Sequence, residues 1–490
     1  MLNIKYMSTR GKDTELTASQ AILKGIANDG GLYVPTSIPK IDFDLEQMSE
    51  MTYPELAYEI LKLYLDDFTE QEIKNCVQQA YDSKFDTEQI APLVKVEEDY
   101  FLELFHGKTL AFKDMALALL PYLMTTSAMK NNVAEKIVIL AATSGDTGKA
   151  ALEGFANVSG TKIIVFYPED GVSKVQEMQM ITQEGENTCV VGLKGNFDDA
   201  QTAVKNIFSD EELNDRLLRK GYVLSSANSI NIGRLVPQIV YYFYAYAQMR
   251  KNNYIAIDEK INFTVPTGNF GNILAGWYAK QMGLPIDKLI CASNDNKVLF
   301  DFLNTGVYDK NRKFILTASP SMDILISSNL ERLLYHLCQD GEKITTVMQE
   351  LSQNGIYNFA IDAKDIIGEY ALGDECTQVI QEVYKKDYIM DTHTAVAYAS
   401  LKKYKEKTKD ETKNIIVSTA SPYKFPEAVT AAIDESHQGK ESFSLLDTLA
   451  QLKKEDIPSQ LKNLKEKQRV HWAICEKYLA APFVEMYLGQ

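Results

Sequence analysis

The feature that most constrains this chain is a repeated strand–turn–helix rhythm that starts near Val94 and is clearest between Lys136 and Ser293. KIVILAA (136–142) runs straight into the polar turn TSGDTG (143–148), and a helix follows through Ala156. TKIIVFYP (161–168) precedes a helix from about Ser173 to Thr182, and CVVGL (189–193) precedes one from Asp198 to about Phe208. After a long helix over Ile232–Arg250 come INFTVP (261–266), the turn TGNFGN (267–272), a helix to Met282 and the strand KLICAS (288–293). Short apolar, β-branched strands without polar alternation, separated by helices of ten or more residues, spell βαβ units in a mainly parallel sheet covered on both faces.

The flanks differ in texture. Residues 1–90 read as mainly helical, with Ser19 capping a helix that ends near Gly25 and NDGGLYVP (28–35) forming a turn beside a short strand. FLELF (101–105) reads as a strand, and HGKTLAFKD (106–114) as a loop entering a long helix near Lys113. Further on, 325–337, 361–368 and 394–407 read as helices, NIIVSTAS (414–421) as a late strand, and the Lys/Glu-rich 453–469 as a solvated helix or linker. For 490 residues this suggests a helical N-terminal lobe (1–93), a large-domain segment (94–128), a small α/β domain (129–230) and a large α/β domain with a C-terminal extension (231–490).

Composition narrows the function. Lys plus Arg total 51 against 67 Asp plus Glu, a net charge of −16, which speaks against a nucleic-acid or anionic-membrane binder. The longest apolar stretch, Met115 to Met124, is too short to span a bilayer and contains Pro121, and no apolar segment follows Lys5 and Arg10 as in a secretory signal. The six cysteines are scattered, as free thiols of a cytoplasmic protein would be, and the five histidines form no HxxH or HExxH, so no metal site is expected. A small-molecule site remains, at the carboxyl ends of the strands where the polar turns gather.

Three features there can carry chemistry. The turn at 267–272 offers glycines and successive N–H groups at a helix start, suited to one phosphate, although a purely structural turn has the same form. It matches neither a P-loop nor a dinucleotide fingerprint. The turn at 143–148 offers hydroxyls and backbone donors to a carboxylate or ring substituent, or Asp146 is simply a helix cap. Lys113 sits between Phe112 and Asp114 at a loop–helix junction, where desolvation would favour a neutral nucleophilic amine, against the alternative of a surface lysine.

Read together, HGKTLAFKDMAL (106–117), AATSGDTGKAA (141–151) and PTGNFGNILAG (266–276) resemble, in order, the three hallmark segments of threonine synthases. YMSTRG (6–11), IANDGGLYVP (26–35) and SANSINIGRL (226–235) are similar to that family too, in its longer microbial and fungal branch. The resemblance implies the type II pyridoxal-phosphate fold, two open, mainly parallel sheets flanked by helices with an added N-terminal lobe. It assigns Lys113 to the Schiff base with pyridoxal 5'-phosphate, and Gly268, Asn269, Phe270, Gly271 and Asn272 to the cofactor phosphate. Thr419, with Ser418 as its close competitor, is implied as the hydroxyl near the pyridine nitrogen. Thr143, Ser144, Asp146 and Thr147 would line the cofactor and the substrate carboxylate, and Asn231, Arg234 and Lys108 would meet the substrate phosphate.

The implied reaction converts O-phospho-L-homoserine and water to L-threonine and phosphate by γ-elimination and β-addition; the acidic composition fits a monomer or homodimer equally well, without nucleic-acid or membrane partners. Three departures stand out: Lys108 where the family commonly has proline, TASPYKF (419–425) for TAHPAKF, and HTAVA (393–397) for HTAVG. The alternatives are another pyridoxal-phosphate lyase, such as a serine or threonine dehydratase, and a catalytically silent binding protein on the same scaffold.

Overall fold

The apolar runs Lys136–Ala142, Thr161–Pro168 and Ile261–Pro266 are strands with those same bounds in a computed structural model of the chain, which describes residues 4–143, 145–169 and 171–489. Every residue of Ile261–Pro266 is buried, because helices cover both faces of its sheet. That sheet has six strands in the order Ile366–Tyr370, Ile286–Ser293, Ile261–Pro266, Asn414–Ser418, Asp99–Glu103, Leu93–Val96. Its pairings are parallel except the last, an antiparallel hairpin. A second sheet of five parallel strands has the order Ala473–Glu476, Thr188–Lys194, Thr161–Pro168, Lys136–Ala142, Tyr222–Ser225. No helix among the described residues is long and apolar enough to cross a membrane.

The N-terminal helices Ala18–Lys24, Tyr53–Leu61 and Glu70–Ala80 each start with a capping box, from Thr17 and Gln20, Thr52 and Glu55, and Thr69 and Glu72. The first cap is thus Thr17 and not Ser19, because only Thr17 has a Gln three residues on to close the box. The Ser19 hydroxyl turns instead to Asp67 at 2.5 Å. This lobe is pinned to the large sheet's helices by the fully buried Arg332, whose Nε donates to Tyr33 O at 2.9 Å, and by Glu331, which accepts from Thr9 at 2.6 Å and pairs with Arg10 at 3.1 Å.

Three stretches depart from the sequence expectations. Residues 361–368 are not helical: Ile366–Tyr370 is a strand that pairs Ile366 with Leu289, so lateral pairing at a sheet edge overrides local pattern. The block 231–490 is divided, because Ala473–Glu476 extends the small sheet beside Thr188–Lys194. Ala480, Val484 and Leu488 of the last helix then share a core with Val138, Leu140 and Ile164. The 453–469 stretch is an irregular strap with Leu461 and Leu464 buried against Leu110, Tyr423 and Val429.

Candidate active site

The loop that carries Lys113 is stitched to the carboxyl end of Asn414–Ser418. Leu104 N donates to Ser418 O (3.0 Å), Phe112 N to Thr419 O (2.8 Å) and Ser421 N to Leu110 O (3.0 Å). Asp114 tightens the loop from inside, accepting from Thr109 N (2.7 Å) and Thr109 Oγ1 (2.6 Å), and burial raises its carboxyl to about 6. A Cβ on Gly107 would lie 2.4 Å from Asp114 Oδ2, so only glycine fits there. The loop delivers Lys113 to the start of the helix Asp114–Leu117 with its side chain 11 % exposed.

Lys113 Nζ donates to Ser321 Oγ at 3.3 Å and lies 3.6 Å from Asp146 Oδ2. Burial pushes this amine below its ordinary pKa; Asp146 opposes that, and the charges of Lys424 and Arg234 reinforce it. Asp146 stands at the first turn of the helix Asp146–Phe155 of the small lobe. Its Oδ1 takes Lys424 Nζ at 2.9 Å and Gln176 Nε2 at 3.0 Å, and its Oδ2 accepts from Ser321 Oγ at 3.2 Å. Burial alone would raise this carboxyl, but the two lysines hold it far below the carboxylate range.

The glycine-bearing turn faces the same place. Ser321 O sits 2.6 Å from where a Cβ on Gly268 would be, so the residue that holds Lys113 also packs on the turn. The turn's carbonyls point away: Gly268 O accepts from Ser327 Oγ (2.7 Å) and Asn269 O from Asn329 Nδ2 (2.9 Å). Among the described residues nothing accepts from the N–H groups of Gly268, Asn269 and Phe270. Phe270, buried and left-handed at φ 61°, starts the helix Gly271–Met282. Behind the turn, Asn272 Oδ1 accepts from Tyr241 and Tyr242, while its buried Nδ2 has no partner. Asn269 is exposed and Gly271 half-buried.

Arg234 is buried on the first turn of Ile232–Lys251. Its Nη1 donates to Ala227 O at 2.8 Å, its Nε has no partner, and no carboxylate among the described residues pairs with it. Burial alone pushes the guanidinium down to about 10. A buried cation left without a counter-ion is costly, and an anion at this spot would relieve that cost.

Other sequence candidates turn out to hold the site's frame. Thr143 Oγ1 accepts from Gly145 N (3.0 Å) and Gly148 N (2.9 Å), fixing the polar turn. Asn231 caps the Arg234 helix through Gly233 N (2.9 Å) and ties it to the N-terminal lobe through Ile22 O (3.0 Å). Ser418 Oγ is engaged by Thr394 Oγ1 at 2.9 Å, whereas the buried Thr419 hydroxyl has no partner among the described residues. Thr147 is half-buried, Ser144 lies outside the described residues, and Lys108 is exposed, on the side of the loop where its charge acts on Glu153. The structure therefore brings Lys113, Asp146, the glycine turn and Arg234 together, and leaves Lys108 apart.

Ser321, Lys424 and the His393–Asp391 pair are the neighbours that sequence reasoning passed over. His393 and Lys424 lie inside HTAVA and TASPYKF, so the signal was at hand. Ser321 lies in a loop with no periodic pattern.

A buried depressed amine, a turn of unclaimed N–H donors and an unpartnered hydroxyl at a strand end fit pyridoxal phosphate at its aldehyde, phosphate and ring nitrogen. Comparison with known proteins agrees. The family model described as pyridoxal-phosphate dependent enzyme matches residues 86–420, flanked by threonine synthase N terminus over 5–81 and threonine synthase, C-terminal over 394–474. Threonine synthase of Saccharomyces cerevisiae is 36% identical, with 94% of this chain and 93% of that one covered. Threonine synthase-like 1 of Homo sapiens is 37% identical over 93% of this chain and 64% of that longer one. A solved structure of PLP-bound threonine synthase from Brucella melitensis superposes with a TM-score of 0.86 at 37% identity, covering 99% of this chain and 98% of that one. On its motifs, its site and this full-length likeness, the chain belongs to the threonine synthase family of pyridoxal-phosphate dependent enzymes.

Proposed function

We propose that this enzyme converts O-phospho-L-homoserine and water to L-threonine and phosphate, and that the residues gathered around Lys113 do the work. The observation that carries the choice of substrate is Arg234, a buried guanidinium without a carboxylate, close enough for its charge to act on Lys113. A dehydratase substrate has no phosphate to balance that charge, whereas phosphohomoserine carries one on its Cγ oxygen as the group that leaves. Arginine suits it, since the fork can give two aligned hydrogen bonds to phosphate oxygens.

Pyridoxal phosphate, when bound, supplies the electron sink that makes the substrate's Cα and Cβ protons removable. Lys113 would hold it covalently and, as a free amine, would carry protons between neighbouring substrate carbons, a task suited to an amine with a lowered pKa. The N–H groups of Gly268, Asn269 and Phe270 would hold its phosphate, with the unpartnered Asn272 Nδ2 close behind the turn. Thr419 is the hydroxyl for the ring nitrogen, because Ser418 is already engaged by Thr394. The turn after Thr143 receives the substrate carboxylate, and the contacts of Asp146 with Lys424 and Ser321 bring the small lobe onto the large one, which keeps water out until it is needed. Six free cysteines suit a reducing, cytoplasmic setting.

Purified protein reconstituted with cofactor and given O-phospho-L-homoserine should release threonine and phosphate in equal amounts. Ammonia release instead would favour the dehydratase alternative, and cofactor bound at Lys113 without any turnover would favour a silent scaffold.

A further inference from the structure

The contacts of Ser321 have a role that neither the cofactor nor the substrate assignment uses. Its hydroxyl stands between two groups of opposite charge, accepting from Lys113 Nζ at 3.3 Å and donating to Asp146 Oδ2 at 3.2 Å, while nitrogen and carboxylate stay 3.6 Å apart. Nothing in the chain's connectivity requires that gap, since Asp146 sits on the small lobe and could be approached by the flexible stem of Lys113. Lys424, at 2.9 Å, already satisfies the other oxygen of the same carboxylate.

Ser321 itself is held from several sides. Its backbone N–H donates to His393 Nε2 at 3.2 Å, and His393 Nδ1 faces the fully buried Asp391 at 2.7 Å, so the imidazole presents its lone pair to the serine and its N–H to the aspartate. Asp391 also accepts from His393 N (2.9 Å), Thr394 N (3.0 Å) and Thr394 Oγ1. On its other flank the 3₁₀ turn Pro320–Met322 is braced by Asp323, whose carboxylate accepts from Asn294 (2.7 Å), Asn296 (3.0 Å) and Thr317 (2.8 and 2.9 Å). A loop residue anchored this firmly is a fixed wedge.

We propose that Ser321 is a positioning residue that keeps the Lys113–Asp146 pair from shortening beyond 3.6 Å into a hydrogen-bonded contact, so that the lysine amine stays free to react, with the Asp391–His393 pair holding the serine in place. The proposal rests on Lys113 being the reacting amine, as read above. With the hydroxyl present, the amine gives a hydrogen to Ser321 and keeps its lone pair for other partners. Without it, Nζ can move from 3.6 Å to about 2.8 Å from the carboxylate, which at an effective dielectric of about 20 strengthens the pair enough to raise the amine's pKa by about one unit, or roughly tenfold less free amine at neutral pH. The other charged groups facing Lys113 are Lys424 and Arg234, and the Phe112 ring lies 5.4 Å from its nitrogen; none of these changes on removing the hydroxyl.

The test is the pH profile of Lys113 labelling in cofactor-free full-length protein, by brief reductive methylation and mass spectrometry of the peptide containing Lys113. Ser321→Ala should move the midpoint up by about one unit and slow labelling at pH 7 by roughly tenfold. Ser321→Thr, which keeps the hydroxyl, should restore the wild-type midpoint, and His393→Leu should shift it in the direction of Ser321→Ala. A general loosening of the fold would also raise the midpoint by relieving burial, but it would speed labelling at the high-pH plateau, which the proposal leaves unchanged, and Ser321→Thr would not reverse it. An unchanged midpoint in Ser321→Ala, or a shift that Ser321→Thr fails to reverse, overturns the proposal. Borohydride reduction of reconstituted wild-type protein is run alongside: cofactor found elsewhere than on Lys113 overturns the functional reading instead, whatever the labelling profile shows.

Discussion

Replacing Arg234 with methionine should make the cofactor-free protein more stable while abolishing its use of a phosphorylated substrate. Burial lowers the guanidinium from 12.5 to about 10, and no carboxylate offsets it. About 2.5 pKa units correspond to roughly 3 kcal/mol by which holding this charge destabilises the folded state. The single hydrogen bond from this charged donor to Ala227 O, at 2.8 Å, returns about 1.5–3 kcal/mol. Methionine keeps most of the apolar stem and opens little cavity, so Arg234→Met should gain up to about 1.5 kcal/mol. Urea unfolding of the cofactor-free proteins followed by far-UV circular dichroism, without phosphate or sulfate, measures the difference. Adding inorganic phosphate should then raise wild-type stability more than that of Arg234→Met, since an anion that binds only the folded state stabilises it by mass action. If Arg234→Met is instead less stable than wild type by a kcal/mol or more without anions, the guanidinium has a structural partner and is not waiting for a phosphate.

Three further outcomes are expected. Gly268→Ala would put a methyl 2.6 Å from Ser321 O, against backbone, so it should weaken cofactor binding at least tenfold in a titration of cofactor absorbance; unaltered affinity would show that the turn does not touch the cofactor. Thr419→Val should lower cofactor affinity and alter its absorbance, whereas Ser418→Ala should cost about 1 kcal/mol of stability and leave the spectrum alone; the reverse pattern would make Ser418 the ring partner. Burial would lower the His106 imidazole, but Asp86 at 2.6 Å and Glu103 at 2.9 Å hold it up at about 9, so this cluster's contribution is complete below about pH 6.5 and is lost as pH rises through about 9. Unfolding free energies from urea titrations between pH 6 and 10 should therefore fall by up to about 3 kcal/mol more in wild type than in His106→Gln, and parallel curves would exclude the cluster as the cause.

What could be read from the sequence, and what could not, divides along a physical line. Strands such as Lys136–Ala142 and Ile261–Pro266 were legible because a strand buried on both faces must be apolar throughout, and a turn that opens a helix must hold glycine or a polar cap. The strand Ile366–Tyr370 was not, since its assignment depends on an edge offered by residues some 77 positions away, Leu289 against Ile366, which no local pattern encodes. The same holds within the site. Lys113 and the glycine turn announce themselves because their chemistry is local: an amine at a helix start, N–H groups freed by glycine. Ser321 does not, because a serine acts here only through what surrounds it: an imidazole 72 residues later in the chain, a lysine 208 earlier and a carboxylate 175 earlier. Residues that react can thus be found from sequence, whereas residues that set the state of those that react are found only once the fold has assembled their partners. The proposed choice of Thr419 over Ser418 rests on the same ground: two adjacent hydroxyls are alike in sequence, and only the presence of Thr394 beside one of them leaves the other free for a ligand.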